Sequence, residues 1–266
     1  MNIGALLAYS CFLSPHKKGD FFMSNLISRQ SSALKIKKLV MSALFAALAY
    51  VAMFVTSWIK VGFLTFDAKD TIITLAGLLF GPLYSLVISL LVALLELITV
   101  GDTGFYGFFM NFLSSAVFST VCALIYKYKK NLKGAIIGLV ASILSVTATM
   151  ILFNLFITPL YLHVEQIVVA QMVPTLFLPF NLTKATMNAS LVLVLYKPVS
   201  KALKAANVLS ARSIGSEEQD TVDAKQRNRR NLVFSLVTTA VGIAVAALCL
   251  VVFLVVLGGE FVPIGQ

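Results

Sequence analysis

Charged side chains are scarce in this sequence. Only 12% of its 266 residues are Asp, Glu, Lys or Arg, and 59% are hydrophobic. A soluble domain carries about 25% charged and about 45–50% apolar residues, so an ordinary soluble domain is excluded. Cysteine is also sparse. Cys11, Cys122 and Cys249 lie far apart with no C-x-x-C, which gives neither a disulfide framework nor a zinc site. The two histidines, His16 and His163, fall in what read as separate loops, too few ligands to hold a metal. The chain has no G-x-x-x-x-G-K-[ST] to cradle phosphates, no H-E-x-x-H and no G-x-S-x-G. It is therefore expected not to be an enzyme, and any ATP-driven step has to come from another chain. The halves show no repeat with paired broken helices, which argues against a common secondary transporter.

What is present is a series of tandem apolar runs. These favour membrane helices over a barrel and predict one all-α integral membrane domain. Spans are expected over residues 36–58, 71–80, 83–100, 106–126, 134–157 and 180–196, with a seventh over 232–257. The resulting organisation is an N-terminal leader (1–34), a six-helix membrane domain (35–204), a polar cytoplasmic linker (205–230) and an additional C-terminal transmembrane helix (231–266). In the leader, residues 3–13 are apolar but too short to span, without a basic start or a small-residue cleavage site, so no signal peptide is expected. Met23 opens a more ordinary polar, basic leader and is an alternative start to Met1.

Residues 71–100 are long for one crossing and lean for two. Gly81-Pro82 interrupts them, giving either one kinked helix or a tight hairpin with Pro82 opening the second helix. Basic residues arbitrate. With the hairpin, eighteen of the 21 Lys and Arg share one side, the exceptions being Lys60, Lys69 and Lys184. The single helix instead puts the basic 127–133 loop opposite the leader. The positive-inside rule selects the hairpin with a cytoplasmic amino terminus. The net charge of +10 then reports cytoplasmic loops against anionic lipid rather than nucleic acid. This topology maps Asp67, Asp70, Glu96, Asp102, Asn154, Asn181 and Lys184 to the outer half, the layout of a protein that captures a solute from outside.

The stretch Pro179-Phe180-Asn181-Leu182-Thr183-Lys184 sets an amide and an ammonium three residues apart on one helix face. A cation within a bilayer usually faces a cavity, a ligand or a partner charge. Near a helix end it snorkels to the interface instead, so depth decides. Glu96, near the end of its run, reads as a buried site residue or an interfacial one, the second slightly favoured. Residues 61–70 read as a half-polar loop capping a helix. Residues 158–180, with Pro159, Pro174 and Pro179, read as a long connection. Ala43 and Ala47, one turn apart, make a small-x-x-x-small pair that lets another helix approach, or else a chance pairing in an alanine-rich helix.

With these residues in view, the chain resembles the S components of energy-coupling factor (ECF) vitamin transporters, most closely the riboflavin-specific group. The resemblance covers residues 39–203. It rests on Ala43 to Ala47, on Phe63-Leu64-Thr65-Phe66-Asp67 with Asp70 and Phe80-Gly81-Pro82, on Asn154 with Pro159-Leu160-Tyr161, and on the Pro179 to Lys184 stretch. It implies a six-helix S-component fold binding a vitamin in the outer half, in the plasma membrane. It also implies a transmembrane coupling subunit and two cytoplasmic ATPase subunits as partners. By position it implies polar ligand contacts from Thr65, Asn154, Asn181 and Lys184, a cover from Phe63 and Leu64, and coupling-subunit contact at Ala43 and Ala47. Riboflavin enters as the transported ligand, with no cofactor. An isoalloxazine ring suits apolar walls with a few amides and a cation. The chain departs from the pattern in lacking a serine and proline around Asp70, in residues 93–96 in place of a lysine-asparagine pair, in a longer turn at Gly101, and in its seventh helix. The first three of these leave room for a phosphorylated or otherwise modified flavin.

Overall fold

The computed structural model describes residues 15–61, 64–100, 104–205, 224–258 and 260–261. The chain divides into two units, Met1–Met41 and Ser42–Gln266. The described residues of the first are helical and belong to α1, which runs Pro15–Thr56. His16 therefore sits in a helix rather than a loop. The second unit holds β1 (Ile59–Val61), β2 (Leu64–Thr65), α2 (Lys69–Phe80), α3 (Pro82–Thr99), α4 (Gly104–Tyr128), α5 (Leu132–Leu162), α6 (Gln166–Met172) and α7 (Leu178–Ala205). It closes with α8 (Ala224–Val251), a π turn (Val252–Val256) and β3 (Glu260–Phe261). Most of the linker expected over 205–230 lies outside the described residues.

Five described helical segments are long and apolar enough to cross a membrane: Ile36–Thr56, Pro82–Thr99, Gly104–Tyr128, Leu132–Leu162 and Gln166–Ala202. The span expected over 71–80 is different. Helix α2 has 12 residues, eleven of them buried. At 1.5 Å per residue it is about 18 Å long, short of the roughly 30 Å hydrocarbon core. Buried on nearly every side, it is a core helix wrapped by its neighbours. The seventh is helical, with an apolar stretch over Thr239–Val255.

Gly81 separates α2 from α3 at φ 114°, a conformation in which a Cβ is strained. Pro82, with no N–H to satisfy, opens α3. The chain turns back here. A Cβ on Gly77 would meet the Ser85 Cβ at 2.9 Å, whereas a continuous helix separates residues eight apart by about 12 Å. The hairpin is thus the geometry adopted.

One sequence expectation fails here. Residues 158–180 are mostly helix rather than a loop: α5 continues through Pro159, and α6 leads by a π turn, Val173–Phe177, into α7. Prolines remove backbone donors. Without water the remaining groups still need partners, so the chain widens to a π turn instead of unfolding. The described residues are mostly helical, consistent with an all-α membrane fold, with one short sheet besides. β1 pairs antiparallel with both β2 and β3, giving the order β2-β1-β3. This pairing satisfies the extended backbone between α1 and α2, tolerable at membrane depth only when buried in protein or lining a cavity.

Candidate functional site

A cavity of about 250 Å³ lies among β1, β2, α3, α4, α5 and α7. Leu64, Thr65, Asn154, Asn181 and Lys184 all line it. Phe63, the sixth residue expected to face a ligand, lies outside the described residues, as does Asp102. Lys184 is 8% exposed, so it does not snorkel to headgroups.

Local structure explains how each side chain arrives. Asn154 sits on α5 one turn before Thr158; its amide donates to the Met150 carbonyl at 2.7 Å, and its Oδ1 accepts from Thr158 at 2.9 Å. Asn181 donates to the Phe177 carbonyl at 2.8 Å, at the end of the π turn. Both amides are thereby fixed in rotamer before any ligand arrives. Lys184 follows Asn181 by three residues and shares its face.

Lys184 is not a lone cation. Its Nζ is 2.8 Å from Asp67 Oδ2. The same carboxylate oxygen is 3.3 Å from Lys69 Nζ, which also reaches Glu96 Oε2 at 2.7 Å. Asn111 donates to the other Glu96 oxygen at 2.7 Å. Asn188 donates to the Asp67 carbonyl at 3.1 Å and accepts from Thr71 at 2.7 Å. Charges removed from water need such pairing and supporting hydrogen bonds. Burial alone would raise the Asp67 carboxyl, but the ammonium groups of Lys184 and Lys69 outweigh it and hold the group below its ordinary range. Its Oδ1 is buried without a partner among the described residues.

Three site features differ from the sequence expectation. Glu96 belongs to the buried network and lines the cavity rather than standing at the interface. Lys69 and Asp70, read as loop caps, are 1% and 4% exposed. Asn111, Tyr106, Thr158 and Tyr161 also line the cavity without having been singled out for it. The signal for Lys69 and Glu96 was available, since intramembrane charges of opposite sign seek one another. Pairing them across 27 positions required the fold.

Ala43 and Ala47 are both exposed, while Ser42, Phe45, Ala46 and Ala49 of the same helix are buried. The two alanines therefore share a face turned away from the rest of the second unit.

A family model described as ECF transporter, substrate-specific component, matches residues 37–196. The chain belongs to this family. This S component is 29% identical over 177 residues to the riboflavin transporter RibU of Staphylococcus aureus (strain TCH60), covering 63% of this chain and 93% of that protein. It is also similar to a solved structure reported as "Structure and mechanism of the S component of a bacterial ECF transporter". That match has a TM-score of 0.55 and 27% identity over 64% of this chain and 99% of the other. The family is a transporter substrate-binding component, not an enzyme, and its members work with a transmembrane and ATPase module. Helix α8 and β3 of this S component lie beyond the matched residues.

Proposed function

We propose that this S component captures riboflavin from the extracellular side and delivers it into an ATP-driven importer. A transmembrane coupling subunit and two cytoplasmic ATPase subunits supply the energy. The observation that carries the reading is the convergence of Leu64, Thr65, Asn154, Asn181 and Lys184 on one cavity, together with the likeness to a riboflavin transporter. A cavity of about 250 Å³ lies just below the roughly 300–1,000 Å³ typical of small-molecule sites. Its apolar walls suit a flat ring, and its amides suit the polar edge and hydroxyl tail.

The charge network favours the uncharged vitamin over its phosphate ester. The ammonium groups of Lys69 and Lys184 are both balanced by Asp67 and Glu96. Neither is left uncompensated for a phosphate, and beside Lys60 and Lys184 the cavity is lined by the carboxylate of Glu96. Quenching of flavin fluorescence by the purified protein tests both points. Riboflavin is expected to bind more tightly than its phosphate. Asn181→Ala is expected to weaken it roughly tenfold or more, from the loss of a buried hydrogen bond of about 1–3 kcal/mol. Undiminished quenching by Asn181→Ala removes that residue from the site. Equal affinity for the phosphate refutes the charge argument.

A further inference from the structure

The segment beyond the family match reaches back to the cavity wall. Phe253, in the π turn that ends α8, is 1% exposed. Its ring lies 5.3 Å from that of Phe66 and 5.7 Å from that of Phe180, both at tilted or edge-on angles. Val61, Phe66, Phe180 and Phe253 form one buried cluster, with Leu64 packed against it. Phe180 and Leu64 line the cavity, and Phe66 is the residue between Thr65 and the charge-bearing Asp67. Four residues past the π turn, β3 begins and pairs with β1 in the register Ile59 to Phe261 and Lys60 to Glu260. Helix α8 is closely seated below this point. A Cβ on Gly242 would come within 3.0 Å of Val194 and 3.2 Å of the Ser190 carbonyl on α7.

We propose that this C-terminal segment is a strap that positions the β1–β2 wall of the cavity, with Phe253 as its positioning residue. Phe253 touches no cavity space itself; it acts through Phe66 and Phe180. β3 acts through the backbone of β1, pairing the edge opposite β2. The strap thereby sets how readily the Leu64–Thr65 wall opens, and so how fast a solute enters and leaves. Its functional meaning rests on the cavity being the solute site, but its mechanical part does not.

The test separates the two. In a background with the native cysteines replaced, Thr65→Cys is labelled by a maleimide in the solute-free, full-length protein. Adding Phe253→Ala is expected to speed labelling about tenfold, the factor for loss of one aromatic anchor; an unchanged rate overturns the proposal. Because Phe253→Ala risks misfolding, the second variant restrains instead of loosening. Ile59→Cys with Phe261→Cys, directly opposite across the antiparallel pair, is oxidised to a cross-link. Riboflavin association and dissociation are both expected to slow severalfold and to recover on reduction. A formed cross-link that leaves both rates unchanged overturns the strap. If the uncross-linked protein binds no riboflavin at all, the substrate reading fails while the labelling result still decides the strap.

Discussion

Asp67 is the residue on which the buried charges depend. One of its oxygens holds two ammonium groups, and each of those is held by little else: Lys184 by this contact and Lys69 by this and Glu96. Breaking a buried pair by removing one partner typically costs about 3–5 kcal/mol, because a charge is left uncompensated. Asp67→Asn is therefore expected to lower the melting temperature of the detergent-solubilised protein by many degrees, and to weaken solute binding by freeing Lys184. An unchanged melt would show that the network adds no stability. The sign with pH follows from the lowered carboxyl. Its stabilisation is fully present above the free-carboxylate value of about 3.9 and is lost only as pH falls through the lower folded value. This pair should thus hold at neutral and mildly acidic pH. That Asn181 and Lys184 share a buried, cavity-lining face was legible because an amide and a cation three apart in an apolar run fall on one helix face. Lys69 was not, because two aspartates beside it made the segment look like a solvated cap.

At the level of elements, the outer alanine face of α1 and the short α2 carry different lessons. Ala43 and Ala47 present an exposed small-residue surface among the described residues, as close helix docking requires. Ala43→Leu or Ala47→Leu is expected to leave riboflavin quenching intact while reducing uptake in cells and recovery of the coupling subunit and ATPases. Full uptake by both variants removes the face from the interface. Most helix positions were readable from apolar runs bounded by lysines, and Gly81-Pro82 correctly marked the hairpin. The prolines misled: Pro159, Pro174 and Pro179 signal a loop in water, but in a bilayer the unpaired backbone costs more than a distorted helix. The short sheet carried no sequence signal, since strands of two or three residues have no period to detect.

As a whole, the chain is a multi-pass membrane protein of the S-component family. The positive-inside reading puts eighteen of the 21 Lys and Arg on one side, and the exposed 129–131 turn between α4 and α5 belongs to that set. If that side is cytoplasmic, Lys130→Cys in a cysteine-free protein is labelled by an impermeant maleimide only in inside-out vesicles. Labelling of intact cells would invert the topology and place the cavity on the wrong face for uptake. The central claim, that the cavity holds riboflavin, is most directly tested by purifying the protein from its membrane without added ligand. Whatever small molecule is released on denaturation is then identified by mass spectrometry. Riboflavin is the predicted result; release of a different vitamin, or of no flavin at all, contradicts the account.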